Sequence, residues 1–343
     1  SAFFDEVFPL IKANTSFDGW YGNPHTFIAT NSVNLTRETL PENGTLRVWF
    51  PLPVETESQR NISMISLQPV DYVVSGPETD GDLGEVCFDI PLEEMTGEYL
   101  NISAEYRFTT YERRFDVNPG SIRPYDTTSY LYRKYTASQP NIEITPEVTK
   151  LAESIIGNEQ NPYRKAELIY EYIIRMYPYS NVPHAYLTAS DIPESTYMLQ
   201  TGFGDCGTQS MLFAALCRSV GVPARSAGGY QLVPGIAGPH FWAEFYLPDY
   251  GWIPVDVTIA ESADWAFNKT EEERDLFKEY FFGDLDPYRY TIQNDVDIPF
   301  SPDPGEDEVL AMVHQDPLIA CGGSREDLEL MSLENSNITF SEV

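Results

Sequence analysis

Gly202-Phe203-Gly204-Asp205-Cys206 and Leu216-Cys217-Arg218-Ser219-Val220-Gly221-Val222-Pro223-Ala224-Arg225 bracket the segment on which the fold turns. From the first to the second, Met211, Leu212, Phe213, Ala215, Leu216 and Val220 form an apolar helical run that Gly221 and Pro223 end. The glycines make a turn before it. Asp205 is placed to cap the helix, so Cys206 falls in its first turn. Three β-like pieces follow, at 224–231, 241–247 and 252–257. A helix followed by a meander of strands predicts an α+β arrangement, with helices packed on an antiparallel sheet.

Upstream, helical signals start at Thr145-Pro146-Glu147, an N-cap, a first-turn proline and an early acid, with Gly157 as the stop. Asn161-Pro162 repeats the device and opens a stripe of Leu168, Ile169, Tyr172, Ile173 and Met176, predicted to pack in the core. A connector rich in Pro, Tyr and Arg precedes this, from 116 to 143. From about 25 to 115 the pattern is β: 45–50 alternates before Pro51 and Pro53, and 61–67, 85–90 and 99–109 read as further strands. Short strands at this spacing predict a β-sandwich, a binding or spacer domain whose partner the sequence does not identify. A short amphipathic segment carrying Phe4, Val7, Phe8 and Ile11 lies ahead of it. The tail beyond 300 is acidic and punctuated by Pro and Gly, with a last strand expected at 338–343. The linear division is therefore a β-rich domain over 1–115, a core over 116–300 and an acidic extension over 301–343.

Cys206 is the first candidate for chemistry. A free thiol with a pKa near 8.5 is mostly protonated at neutral pH. A helix N-terminus and an imidazolium partner are the two features that favour the thiolate here. Gly202 and Gly204 keep side chains away from the sulfur and leave room for a substrate carbonyl. The chain has four histidines: His25 lies in the expected sandwich, His184 in a loop beside Pro183, and His314 in the tail. His240 alone stands at the mouth of a strand able to pack beside the helix. On that strand His240, Trp242 and Glu244 share a face. Asp256 lies on the next strand, joined through 247–251. A connection centred on Pro248 would set His240 opposite Asp256, and one centred on Asp249 or Tyr250 would stagger them by one or two pairs.

These segments are similar to the motifs of the transglutaminase-like superfamily, of the bacterial and archaeal type. Gly204-Asp205-Cys206 with its Gly221-Val222-Pro223-Ala224-Arg225 exit resembles the family's cysteine motif. His240-Phe241-Trp242-Ala243-Glu244 resembles its His-x-Trp-x-Glu strand, and Tyr250-Gly251-Trp252-Ile253-Pro254-Val255-Asp256 its Trp-x-x-x-Asp strand. Phe282-Gly283-Asp284-Leu285-Asp286-Pro287-Tyr288-Arg289 resembles a segment that often follows. The likeness covers about 145–300, and only loosely the β-rich front half. It implies a papain-related core with Cys206 as nucleophile, His240 as base and then acid, and Asp256 as orienter. The implied reaction is acyl transfer on peptide or isopeptide amides through a thioester, foremost as hydrolysis by a protease or amidase. The alternatives are a protein-glutamine transamidase that cross-links, or a catalytically silent surface module. The Cys206 N–H would be one oxyanion donor, and Gln200 is a papain-like candidate for the second. Trp242 and Tyr230 would wall the cleft. Arg225 would pair structurally with a nearby acid.

Composition sets the context. The 343 residues suit two domains, and 42% hydrophobic with 13% aromatic content suits packed cores. The net charge of −32, from 53 acidic and 21 basic residues, argues against nucleic-acid partners and for solubility. A protein or peptide substrate is the partner expected. Ca²⁺ is the one cofactor that the acidity suggests, but no EF-hand spacing is present, so no cofactor and no metal site is predicted. No apolar stretch long enough to span a membrane occurs. The start at Ser1-Ala2-Phe3-Phe4 reads as a trimmed fragment, with any signal or anchor left outside it. Asn-x-Ser/Thr acceptors at Asn14, Asn34, Asn43, Asn61, Asn101, Asn268 and Asn337 point to an extracellular or cell-surface glycoprotein, archaeal as readily as eukaryotic. Four cysteines are too sparse for a disulfide framework. With Cys206 reserved for chemistry, Cys87, Cys217 and Cys321 allow at most one bridge, and Cys217 lies in the apolar helix as a buried thiol.

Overall fold

Caps and periodicity translate directly into the helices of the computed structural model, which describes residues 2–234, 237–305, 314–320 and 336–343. The helices are α1 (Ala2–Ala13), α2 (Tyr130–Tyr135), α3 (Pro146–Ile156), α4 (Pro162–Met176), α5 (His184–Ala189), α6 (Glu194–Thr201), α7 (Cys206–Ser219), α8 (Val257–Trp265) and α9 (Glu271–Tyr280). The strands are β1 (Tyr21–Thr36), β2 (Thr45–Pro51), β3 (Gln59–Gln68), β4 (Val73–Glu78), β5 (Glu85–Pro91) and β6 (Tyr99–Arg114). They continue as β7 (Ala224–Gln231), β8 (Gly238–Leu247), β9 (Gly251–Val255), β10 (Asp284–Leu285), β11 (Arg289–Gln293), β12 (Leu318–Ala320) and β13 (Ser336–Glu342). Thr145 and Asn161 cap α3 and α4 through their side chains, and Gly157 takes a φ of 55° at the end of α3. Among the described residues no helix is long and apolar enough to cross a membrane.

The chain forms two compact units. One contains residues 1–23 and 112–287; the other contains 24–111 and 288–343. The boundaries expected at 115 and 300 are linear, whereas these units are discontinuous. Helix α1, expected with the β-rich domain, joins the first unit because its apolar face finds aromatic partners there. Phe4 stacks on Phe277 of α9 at 5.5 Å, and Phe3 lies 6.2 Å from Phe281. The acidic tail likewise does not stand apart. In the second unit β13 pairs antiparallel with β1, and β12 with β2.

In the first unit α7 is the central element. Every residue from Gly207 to Arg218 is buried, including Cys217, while Cys206 at its tip stays partly accessible. The helix packs across β7 and β8. Those strands pair from Ala224↔Phe245 to Gln231↔Gly238, and β8 pairs with β9 from Ala243↔Val255 to Leu247↔Gly251. Phe213 of α7 meets Phe245 at 6.5 Å, and Phe245 stacks on Phe282 at 5.5 Å. Each such ring, fully buried, contributes on the order of 2–3 kcal/mol. The helix α4 stripe is rotated from the expected one: Ala166, Ile169, Tyr170 and Ile173 are buried, and Met176 is exposed. Their i, i+3, i+4, i+7 spacing defines the packed face, and Met176 falls just past it.

The second unit holds two antiparallel sheets: β3 with β6, β1 and β13, and β12-β2-β5-β4. Trp49, Phe50 and Phe88 are fully buried on the β2–β5 pair. The Tyr106 and Tyr290 hydroxyls satisfy each other at 2.7 Å inside this core. Cys87 is buried and free, whereas Cys321 lies outside the described residues.

A buried ion cluster ties the first unit's sheet together. Glu244 stands opposite Arg225 in the ladder and accepts from its Nε at 2.7 Å; Arg113 donates to the other carboxylate oxygen. Arg225 also covers the Trp252 ring at 4.0 Å, so its structural role is as expected. Burial alone would raise the Glu244 carboxyl, but Arg225 and Arg113 outweigh it and hold it below the usual range. Glu244→Ala leaves two buried guanidinium groups without their counter-ion. It is expected to cost about 3–5 kcal/mol in urea unfolding.

Candidate active site

The sulfur's position follows from the cap of α7. Asp205 Oδ1 accepts the Thr208 N–H at 3.1 Å, and Thr208 Oγ1 accepts the Asp205 N–H at 2.9 Å. This reciprocal capping box makes Cys206 the first helical residue. The glycines before it have packing reasons. Gly202 ends α6 in the left-handed region at φ 77°. A Cβ at Gly204 would lie 2.1 Å from Thr208 Oγ1 and 2.5 Å from Met198 Sδ, so the close approach admits only glycine. Room for a substrate is not what that glycine supplies.

His240 lies on β8 opposite Gly229, a neighbour without a side chain, and is buried. Its Nε2 is 2.8 Å from Asp256 Oδ2, and the Cys206 sulfur lies near enough to the ring to favour its charged form. Trp242 backs the imidazole, stacked at 6.4 Å. Burial disfavours the charged ring, but Asp256 and then Cys206 overcome that and raise His240 to about 9. At neutral pH the ring is an imidazolium.

Asp256 does not reach His240 as a strand residue. The β8–β9 ladder is centred on Asp249, since Leu247 pairs with Gly251 and Ala243 with Val255. Continued by one step, it would set residue 256 opposite Trp242 rather than His240. Instead β9 stops at Val255, and Asp256 becomes the N-cap of α8. Oδ1 accepts the Ile259 N–H at 3.1 Å, and the Asp256 N–H donates to Phe281 O at 3.0 Å. One oxygen caps the helix while the other holds the imidazole. The strand expected over 252–257 is thus shorter, and α8 was not foreseen.

The other candidates are placed differently. Gln200 is exposed in the last turn of α6. Trp242 and Tyr230 are 0% and 4% exposed, so they support the site from behind. Residues that sequence reasoning passed over lie nearer. Glu261 of α8 accepts the Tyr179 N–H at 2.9 Å, the Gln209 amide at 3.2 Å and the Trp265 indole at 3.3 Å. The Ser180 N–H donates to Gly204 O at 2.8 Å, lashing the 178–180 segment alongside the turn before Cys206. Tyr179 and Trp265 are both exposed, with ring centroids 6.3 Å apart. Burial, then the charges of Cys206 and Asp205, push the Tyr179 hydroxyl up. His184, set aside as a loop residue, sits against Asp205. Apart from the Trp265–Glu261 bond within one turn of α8, no local pattern announces these contacts, because partners such as Tyr179 and Glu261 are 82 residues apart.

Residues 149–257 match the model of the transglutaminase-like superfamily, and that stretch holds Cys206, His240 and Asp256. The chain carries a transglutaminase-like core. It is 29% identical over 307 residues to an uncharacterized protein of Haemophilus influenzae, covering 80% of each chain. In fold it is similar to a structure described as a putative cysteine protease from Cytophaga hutchinsonii, with a TM-score of 0.53 and 16% identity. That likeness covers 94% of this chain and 92% of that one. The likeness in fold thus extends over both units, beyond the 149–257 core.

In this core Asp256→Asn tests the origin of the His240 charge. Asparagine caps a helix nearly as well, so α8 is retained. The His240 titration, followed by imidazole NMR, is expected to fall from about 9 to 6.5 or below once the anion is gone.

Proposed function

We propose that this protein is a cysteine-dependent acyl-transfer enzyme acting on peptide or isopeptide amides, in the simplest case a hydrolase. The observation that carries it is the 2.8 Å bond between His240 and Asp256, with the Cys206 sulfur beside the same ring at a partly accessible helix tip. Cys206 is the nucleophile. Its thiolate attacks the amide carbonyl carbon, forming the C–S bond and an oxyanion. The His240 imidazolium passes its proton to the departing amine as the C–N bond breaks, leaving a thioester. Water then attacks the thioester carbonyl as His240 takes its proton, and the C–S bond breaks to release the acid and restore the thiolate beside an imidazolium. Asp256 holds the ring's tautomer and stabilises its charge. The Asp205 cap consumes the Thr208 N–H and not that of Cys206, which supports the latter as an oxyanion donor.

An extracellular setting is part of the proposal. All seven acceptor asparagines are exposed, which supports it.

Cys206→Ala is expected to abolish turnover with the fold intact. The decisive measurement is mass spectrometry of a peptide library incubated with and without a primary amine. New carboxyl termini mean hydrolysis, amine adducts mean transamidation, and no change in either arm overturns the proposal. The rate should also decline above pH 9, about tenfold per unit, as His240 loses the proton that the leaving amine needs. A rate still rising at pH 10 would remove His240 as the acid.

A further inference from the structure

Next to the proposed nucleophile lies a second set of charges that the reaction above does not use. His184, at the start of α5, holds a carboxylate on each ring nitrogen. Nε2 is 2.6 Å from Asp205 Oδ2, and Nδ1 is 3.0 and 3.1 Å from the two oxygens of Glu194 on α6. Glu194 is 1% exposed, so its charge must be matched by a close cation. Asp205 is the residue before Cys206 and the cap of its helix. The imidazole reaches over the first turn of α7: His184 Cε1 is 4.0 Å from where a side chain on Gly207 would begin.

A capping carboxylate one residue from the sulfur has an electrostatic cost. It repels a second negative charge, and a thiolate is one. Neutral Asn or Ser would cap equally well without that cost. The imidazolium bonded to the same carboxylate resolves the conflict, since its charge offsets that of Asp205 at hydrogen-bond distance. We infer that His184 is a positioning residue for Cys206, clamped between Glu194 and Asp205 so that its positive charge cancels the cap's negative one beside the nucleophile. The inference rests on Cys206 acting as a thiolate, as proposed above. Burial works against the charged ring, but the bonds to Asp205 and Glu194 dominate and raise His184 to about 10, so it stays charged across the working range. The titratable groups around the sulfur are then Asp205, Glu194 and His184 from α5 to α7, Tyr179 from the preceding segment, and the His240–Asp256 pair.

The test is the pH–rate profile of iodoacetamide alkylation at Cys206, read by mass spectrometry on the intact chain, with circular dichroism as a check on folding. His184→Gln keeps hydrogen bonds but removes the cation. The pH of half-maximal rate should rise by about one unit, a roughly tenfold slower reaction on the acidic limb. Glu194→Gln removes an anion while Asp205 keeps the ring charged, so the midpoint should move the opposite way, by less. A tether with no electrostatic role would lower thermal stability in both variants and leave the midpoints in place; that result, or shifts of both in one direction, overturns the inference. Should His184→Gln not fold, Glu194→Gln decides alone: a downward shift supports the inference, and no shift or an upward one sinks it. Wild-type Cys206 reacting no faster than Cys87 or Cys217 would instead count against the nucleophile itself, a separate failure.

Discussion

The hydrogen bond between His240 and Asp256 is the constraint to which the rest of the catalytic unit answers. Asp256 has no exposed surface, and a carboxylate taken out of water costs several kcal/mol unless its charge is matched and its lone pairs are used. Both conditions are met by the way the chain is routed. Strand β9 ends one residue early, α8 begins on the carboxylate, and β8 brings an imidazole to its other oxygen. The imidazole in turn stays charged only while that anion is there. Cap, strand end and ring orientation are consequences of one buried charge.

The same economy of charge recurs through the unit. A chain with a net charge of −32 has few cations to spare, yet several of its buried acids are matched. Glu244 takes two arginines, and Glu194 with Asp205 takes an imidazole. The surplus acid is on the surface, where water screens it. Around Cys206 the pattern yields two imidazole–carboxylate groups, His240 with Asp256 and His184 with Asp205 and Glu194. The helix that carries the sulfur is otherwise a core element, buried from Gly207 to Arg218, so the sulfur is held by a rigid support.

Local chemistry made much of this legible beforehand. Thr145, Asn161 and Asp205 cap their helices as side-chain acceptors must, and Gly157, Gly202 and Gly204 end or precede helices for steric reasons. Strands β7 and β8 show in the β-rich pieces after Pro223. What escaped were features whose cause is distant. The short helices α5 and α6 have no side-chain cap bond to advertise them, since Pro183 and Pro193 precede them. Met176 matched the stripe of α4 in type and spacing but is the helix's last residue, past the end of the packed face.

The sequence by itself determined the α+β class, the helix that begins at Cys206, the candidates Cys206, His240 and Asp256 and the acidity of the chain. These depend on neighbours within a few positions or on composition, and motif order carried the rest. Only the tertiary structure decided that Asp256 caps a helix rather than sitting in a strand, that His184 belongs beside the sulfur, and that residues 1–23 pack with 112–287. Those outcomes depend on which buried charge finds which partner and which apolar face finds which ring. Such pairings are set by through-space distance, which linear spacing does not encode.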